Sequence, residues 1–234
     1  MISILCPSRG RPKNIEQLRE NILNITYDIY DIELLLKLDT DDLYKLDSRY
    51  DYFIKSYIGD RSPYLNRDYY NFLAKKAKGQ YLWGWGDDCR VETKNWDIIL
   101  YQRIEEYLKD KPDRIAYISV NEEGSKAKHP CFPLITKEAF QVLGEYHCSE
   151  LLSWGSDRIL WEIYNGVGRT LHIPEISIKH LSYHDGSAPF DETAKSMKER
   201  FFRNPNAHNF VSENIVPKHI EKLKTYIKEF NKNA

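Results

Sequence analysis

The chain has 234 residues, with 34 Lys+Arg against 35 Asp+Glu and a formal net charge of −1. That length suits one large domain or two small ones and buries roughly 70% of the unfolded surface, so folding needs neither a disulfide framework nor a structural metal. Balanced charge argues against a broad basic face for nucleic acid or anionic lipid, and a 13% aromatic content argues against disorder.

Ile2 to Cys6 is a short apolar run stopped by Pro7, which predicts a buried first strand. Ser8-Arg9-Gly10-Arg11 is a polar loop. Pro12 then opens a helix, with Ile15, Leu18, Ile22 and Leu23 at helical spacing. Asp31 to Leu38 predicts a second strand, ending in Asp39-Thr40-Asp41-Asp42. Asp51 to Ile58 predicts a third. Pro63 to Lys78 reads as a helix with a basic end, stopped by Gly79. Gln80 to Trp85 is a further buried run, closed by Gly86-Asp87-Asp88, and Thr93 to Lys109 is an amphipathic helix.

The second half is less regular. Arg114 to Val120 predicts a strand, and Pro130 to Ile135 an extended segment, because prolines interrupt helices. Short helices are expected at Thr136–Leu143 and Ser156–Tyr164. Short strands are expected at Leu171–Ile173 and Ile176–His180, on either side of Pro174. Asp191–Arg200 and Val216–Phe230 read as helices, the latter with a Lys-rich face suited to solvent or to an anionic partner.

Four widely spaced cysteines contain no C-x-x-C pair, which argues against zinc fingers and predicts a reducing compartment. Met1 to Pro7 has no basic leader and too short an apolar run for a signal peptide. No stretch reaches the ~20 apolar residues of a membrane span. A cytoplasmic location is the expectation.

Alternating strands and helices imply an α/β fold with a mostly parallel sheet and helices on both faces. Ligands of such sheets bind beyond the carboxyl ends of the strands. That rule aligns Pro7 to Arg11, Asp39 to Asp42 and Gly86 to Asp88 along one rim. Adjacent carboxylates such as Asp87 and Asp88 repel unless a positive group sits between them, and a hard divalent cation meets that need. A solvated Asp-Asp turn is the alternative. Asp39 suits a ribose or base contact, or a helix cap. The segment is no EF-hand, since Tyr44 and Tyr50 replace the required Gly and Glu. His180 and His184 flank a loop that allows at most one of them to be a metal ligand. Asp157 suits either chemistry or a helix N-terminus. Trp83, Trp85 and Trp154 suit either sugar stacking or core packing.

Taken together, these segments resemble the GT-A glycosyltransferases, in particular the family-2-like group and small proteins opening with Pro-Ser-Arg-Gly-Arg-Pro. Pro7-Ser8-Arg9 is similar to the nucleotide-binding opening of that family. Leu36 to Asp42 resembles its second strand, whose terminal acids, here Asp39 and Asp41, hold base or ribose. Asn71 to Gly79, followed by Gln80-Tyr81, resembles the helix leading into the metal strand. Gly86-Asp87-Asp88 falls on the Asp-x-Asp position, with Gly86 replacing the first Asp.

The resemblance implies a single GT-A domain over residues 1–234. Residues 1–110 would bind nucleotide sugar and metal, 111–190 would form the acceptor side, and 191–234 would add C-terminal helices. It implies Mn²⁺ or Mg²⁺ on Asp88, Asp87 and His180, nucleotide contacts from Pro7, Ser8, Arg9, Arg11, Asp39, Asp41, Arg61, Asn71 and Asp87, and Asp157 as general base. The expected activity is transfer of a sugar from a nucleotide-diphosphate sugar, such as a UDP-hexose, with inversion. Glycan, lipid-linked sugar, protein side chain and modified DNA base are all open as acceptors. A two-metal nucleotidyltransferase and a non-catalytic binding module are the competing readings.

Overall fold

The computed structural model describes residues 1–42, 52–123, 131–152, 155–183, 186–203 and 206–233. The first apolar run forms β1 (Ile2–Pro7). Pro12 occupies the first turn of α1 (Pro12–Ile25), which buries Ile15, Leu18 and Ile22. β2 (Ile32–Asp39) is buried at every position, as a central parallel strand covered on both faces requires. β3 (Ile54–Gly59) and β4 (Tyr81–Gly84) complete the first half of the sheet. β1 pairs in parallel with β2 and β4, and β2 with β3, so the expected parallel arrangement holds here.

The helix expected over Pro63–Lys78 divides into a π-helical stretch, Leu65–Tyr70, and α2 (Asn71–Lys76). The remaining elements are β5 (Cys89–Val91), α3 (Trp96–Leu108), β6 (Tyr117–Glu123), β7 (Leu134–Thr136), α4 (Lys137–Leu143), α5 (Ser156–Asn165), β8 (Thr170–His180), α6 (Glu192–Arg203), α7 (Ala207–Asn214) and α8 (Val216–Asn233). All strands among the described residues join one eight-stranded sheet in the order β3-β2-β1-β4-β7-β6-β8-β5. β7 runs antiparallel to β4 and β6, and β5 antiparallel to β8, so the sheet is mixed.

One sequence expectation needs correction, and one strand was not predicted. The two short strands around Pro174 are one long strand, β8. Its register against β6 shifts between Val120 and Asn121, so Pro174 falls in the irregularity, where its missing N–H breaks no ladder bond. β5 is a strand of 3 residues inside an acidic loop, too short to leave a periodic signal.

Alternation along β1 and β2 sends side chains to two cores. Ile4, Leu34 and Leu36 pack with Ile15, Leu18, Trp96 and Leu100 from α1 and α3. Leu5, Leu35 and Leu82 pack on the other face with Leu73, Phe140, Leu160 and Leu223 from α2, α4, α5 and α8. Trp83 and Trp85 are 1% and 0% exposed, and their rings meet Trp96 at 5.3 and 6.1 Å. Of the two roles open to them, core packing is the one they fill. Trp154 and His184 lie outside the described residues. The four cysteines are free. No described helix is long and apolar enough to cross a membrane.

Glu33 ties β2 to its neighbours. It accepts from Ser3 Oγ at 2.6 Å, from Lys78 N at 2.6 Å and from Lys55 Nζ at 3.4 Å. Burial opposes its charge, but the Ser3 and Lys78 hydrogen bonds and the Lys55 charge hold its pKa below the usual value. The stability it supplies is therefore full above the unfolded-state carboxylate pKa and is lost as pH falls through the lower folded value. Glu33→Gln should cost about 1–3 kcal/mol in urea unfolding at neutral pH, and the gap to wild type should shrink in acid. A gap that grows in acid would refute this account.

Candidate active site

The carboxyl ends of β1, β2 and β4 open onto one cavity of about 700 Å³. Ser8 to Arg11 follow β1, Asp39 ends β2, and Gly86 to Asp88 follow β4. The rim expected from strand-end position is therefore assembled. Pro7, Ser8, Arg9, Arg11, Asp39, Arg61, Asp87, Asp88, Asp157 and His180 all line this cavity.

Two arginines organise the acids. Arg9 Nη1 donates to Asp39 Oδ2 at 2.6 Å and to Asp41 Oδ1 at 2.7 Å. Asp39 Oδ1 accepts from Tyr69 OH at 2.5 Å. Gly10 N donates to Asp42. Arg11 Nη1 lies between Asp87 Oδ1, at 3.0 Å, and Asp88 Oδ2, at 3.3 Å. Its Nε and Nη2 hold Asp191 at 2.6 and 2.9 Å. Asp191 also caps α6 by accepting from Ala194 N, so the C-terminal segment is tied to the β1 loop. The positive group required between Asp87 and Asp88 is thus partly supplied by the chain itself.

Asp87 and Asp88 differ in surroundings. Asp87 accepts from Ser8 Oγ at 2.7 Å as well as from Arg11. Burial and the adjacent Asp88 charge push its pKa upward. Asp88 faces His180, with Oδ1 3.7 Å from Nε2. Burial opposes the Asp88 charge, but the His180 interaction holds its pKa below the usual value. Burial opposes the charge of His180 too, yet the neighbouring Asp88, Cys131 and Glu122 raise its pKa well above the imidazole norm.

Strand pairing explains this meeting. The antiparallel β5–β8 register sets Cys89 opposite His180, and Leu181 N donates to Asp88 O at 2.9 Å. His180 Nδ1 contacts Glu122 Oε1 at 3.2 Å, and Glu122 Oε2 accepts from Cys131 N at 2.7 Å. A carboxylate behind one ring nitrogen is the usual support of a metal-binding histidine, because it orients the other nitrogen. Nε2 accordingly faces Asp88. An oxygen and an imidazole nitrogen suit Mn²⁺, and Mg²⁺ less well. The donor set fits a divalent ion at Asp88 and His180, with Asp87 engaged elsewhere.

Gly86, where the family resemblance expects an acid, has a local cause. A Cβ there would lie 2.2 Å from Asp88 Oδ1, so a side chain at 86 would displace that carboxylate.

Asp157 lies in the first turn of α5, where the helix dipole favours a carboxylate. Gly155 enters that helix at φ 79°, and a Cβ there would stand 2.0 Å from His208 Cε1. The sharp turn delivers Asp157 to the cavity.

Asn71 and Asp41 do not line the cavity. Asn71 is buried, where its side chain accepts from Tyr146 N and His147 N and donates to His147 O. It shapes the cavity wall from behind. Asp41 is exposed and acts through Arg9. Residues missed by the sequence reading are Glu122, Tyr69, Asp191, Asn66 and His147. The contact between Arg11 and Asp191 spans 180 positions, and no local signal announces it.

No protein-family model matches the sequence, and no curated protein matches it. Solved structures match in fold. The mannosyltransferase PcManGT from Pyrobaculum calidifontis, in complex with GDP-Man and Mn²⁺, has a TM-score of 0.61 and 11% identity, covering 96% of this chain and 73% of its own. GalNAc-T7 with UDP, GalNAc and Mn²⁺ has a TM-score of 0.60 and 16% identity, covering 99% and 55%. S. aureus TarS 1-349 in complex with UDP has a TM-score of 0.57 and 11% identity, covering 76% and 60%. This chain thus spans under two thirds of the length of the latter two. The shared architecture is the GT-A fold.

Proposed function

We propose that this chain is a metal-dependent glycosyltransferase that moves a hexose from a nucleoside-diphosphate sugar, UDP-hexose first among them, to an acceptor hydroxyl with inversion. The observation that carries the reading is the Glu122–His180–Asp88 line at the carboxyl rim of the sheet, with Nε2 facing a carboxylate. The fold it shares with nucleotide-sugar-bound neighbours supports it.

Residues 1–110 take the donor, through Pro7, Ser8, Arg9 and Asp39, with Asp41 acting through Arg9 and with Arg11 and Arg61 as cations for phosphate. Residues 111–190 form the acceptor side, and 191–234 pack against it and supply Asp191. Asp88 and His180 would hold Mn²⁺ or Mg²⁺, which supplies neutralisation of the leaving diphosphate. Asp157 accepts the proton of the acceptor hydroxyl. That oxygen then bonds to the anomeric carbon while the bond from this carbon to the diphosphate oxygen breaks. The electron pair leaves with the nucleoside diphosphate. A cytoplasmic location fits the four free cysteines.

The test is nucleoside-diphosphate release from a panel of UDP- and GDP-sugars, with Mn²⁺ and with EDTA. Metal-dependent release from one donor is expected. Pyrophosphate release from a nucleoside triphosphate plus sugar phosphate, with no turnover of any nucleotide sugar, would assign the chain to the nucleotidyltransferases instead.

A further inference from the structure

Among the described residues that line the cavity, two carry a buried side-chain atom without a hydrogen-bond partner: Asn66 at Oδ1 and His147 at Nδ1. These residues are only 0% and 4% exposed. Neither is free to turn elsewhere. Asn66 Nδ2 donates to Cys148 O at 3.3 Å, which orients the amide and leaves its oxygen over. The backbone of His147 is fixed on both sides by Asn71. Its ring is packed between Tyr70 and Tyr146, with centroids at 5.0 and 4.6 Å.

Orphaned buried polar groups are rare, because each forfeits the hydrogen bonds it had in water. Two in one cavity wall point to a ligand that completes them. Asn66 belongs to the π-helical stretch, an irregularity that occurs often at binding sites.

The chemistry of the pair is specific. An amide oxygen only accepts, and a neutral imidazole offers one acceptor and one donor nitrogen. Burial lowers the pKa of His147 to about 4, against the pull of the Asp157 charge, so the ring is neutral at physiological pH. Neutral groups of this kind match hydroxyls. An anionic ligand group would call for cations.

We propose that Asn66 and His147 form a sugar-ring subsite, in which ligand hydroxyls complete the hydrogen bonds of both side chains beside Asp157. The assignment of that ring to the acceptor rests on the glycosyltransferase reading. The acceptor is then a saccharide, which favours a glycan or glycolipid headgroup over a protein side chain or DNA base.

The test is NMR of the full chain with ¹⁵N-labelled histidine, the His147 signals being identified by their loss in His147→Phe. Methyl glycosides of glucose, galactose, mannose and N-acetylglucosamine are titrated with and without UDP and Mg²⁺, and UDP-glucose and UDP-N-acetylglucosamine are titrated in separate samples. At least one should shift the His147 ring signals saturably. His147→Phe should bind that glycoside about tenfold more weakly, with an unchanged or higher melting temperature, since an orphaned polar group has been removed. His147→Asn should recover part of the affinity.

No response of His147 to any glycoside or UDP-hexose would overturn the subsite. A response to UDP-hexose alone would overturn the acceptor assignment and give the ring to the donor. Failure of UDP and Mg²⁺ to shift His180, with the glycoside response intact, would sink the glycosyltransferase reading and leave the sugar subsite standing.

Discussion

Asp88→Ala should lower nucleoside-diphosphate release from the matching donor by at least about a thousandfold, because charge neutralisation at a departing diphosphate is worth several kcal/mol. Its Oδ1 is the oxygen that meets His180 Nε2, and both lie on the cavity. The variant should still fold. Asp88 lies outside both hydrophobic cores, and its removal relieves a repulsion with Asp87. Two companion changes grade the effect. Glu122→Gln weakens the support of His180 and should cost about 10–100-fold in metal affinity, read as a raised Mn²⁺ requirement at nearly unchanged saturating rate. Asp87→Asn should act on donor binding more than on Mn²⁺, since both Asp87 oxygens already serve Ser8 and Arg11. Wild-type turnover by Asp88→Ala would remove the metal role altogether.

The parts of this architecture that were legible in the sequence are those set by local hydrophobic runs. β1, β2 and β4 declare themselves because each holds a short, largely apolar run stopped by Pro or Asp. Their ends placed Asp39 and Asp88 on one rim without any knowledge of strand pairing. The parts that were not legible depend on pairing across long separations. His180 reaches Asp88 only because β8 folds back along β5, a strand too short to show in periodicity. Glu122 contacts His180 across 58 positions. The tryptophans were ambiguous for a different reason: aromatic runs beside an acidic turn suit a core or a sugar platform equally, and only burial decides. Asn71 shows the same limit, since a polar residue in a helix can face a ligand or hold a neighbouring loop. Here it holds the loop that carries His147.

Asp157→Asn is the second large change, with an expected fall in transfer rate of about 10²–10⁴-fold, the range for loss of a positioned general base. Donor affinity, read by UDP titration with Mg²⁺, should stay within about twofold, because Asp157 lies on α5 and not on the strand-end rim. Asn keeps the shape and the helix-start position, so a fall in rate reports proton transfer and not a lost fold. The same residue could instead be a nucleophile, and the anomeric configuration of the wild-type product separates the two roles. If Asp157 attacks the anomeric carbon, Asp157→Ala supplied with azide should regain turnover and release a glycosyl azide of inverted configuration, while the wild-type product retains the donor's anomeric form. If Asp157 is the base, the wild-type product is inverted, and azide, which needs no base, also gives a glycosyl azide of inverted configuration, so rescue alone does not distinguish the roles. The anomeric proton coupling of the product is therefore the decisive reading. The position of Asp157 beside His147 favours the base, since a hydroxyl held by that wall would stand next to a carboxylate able to take its proton.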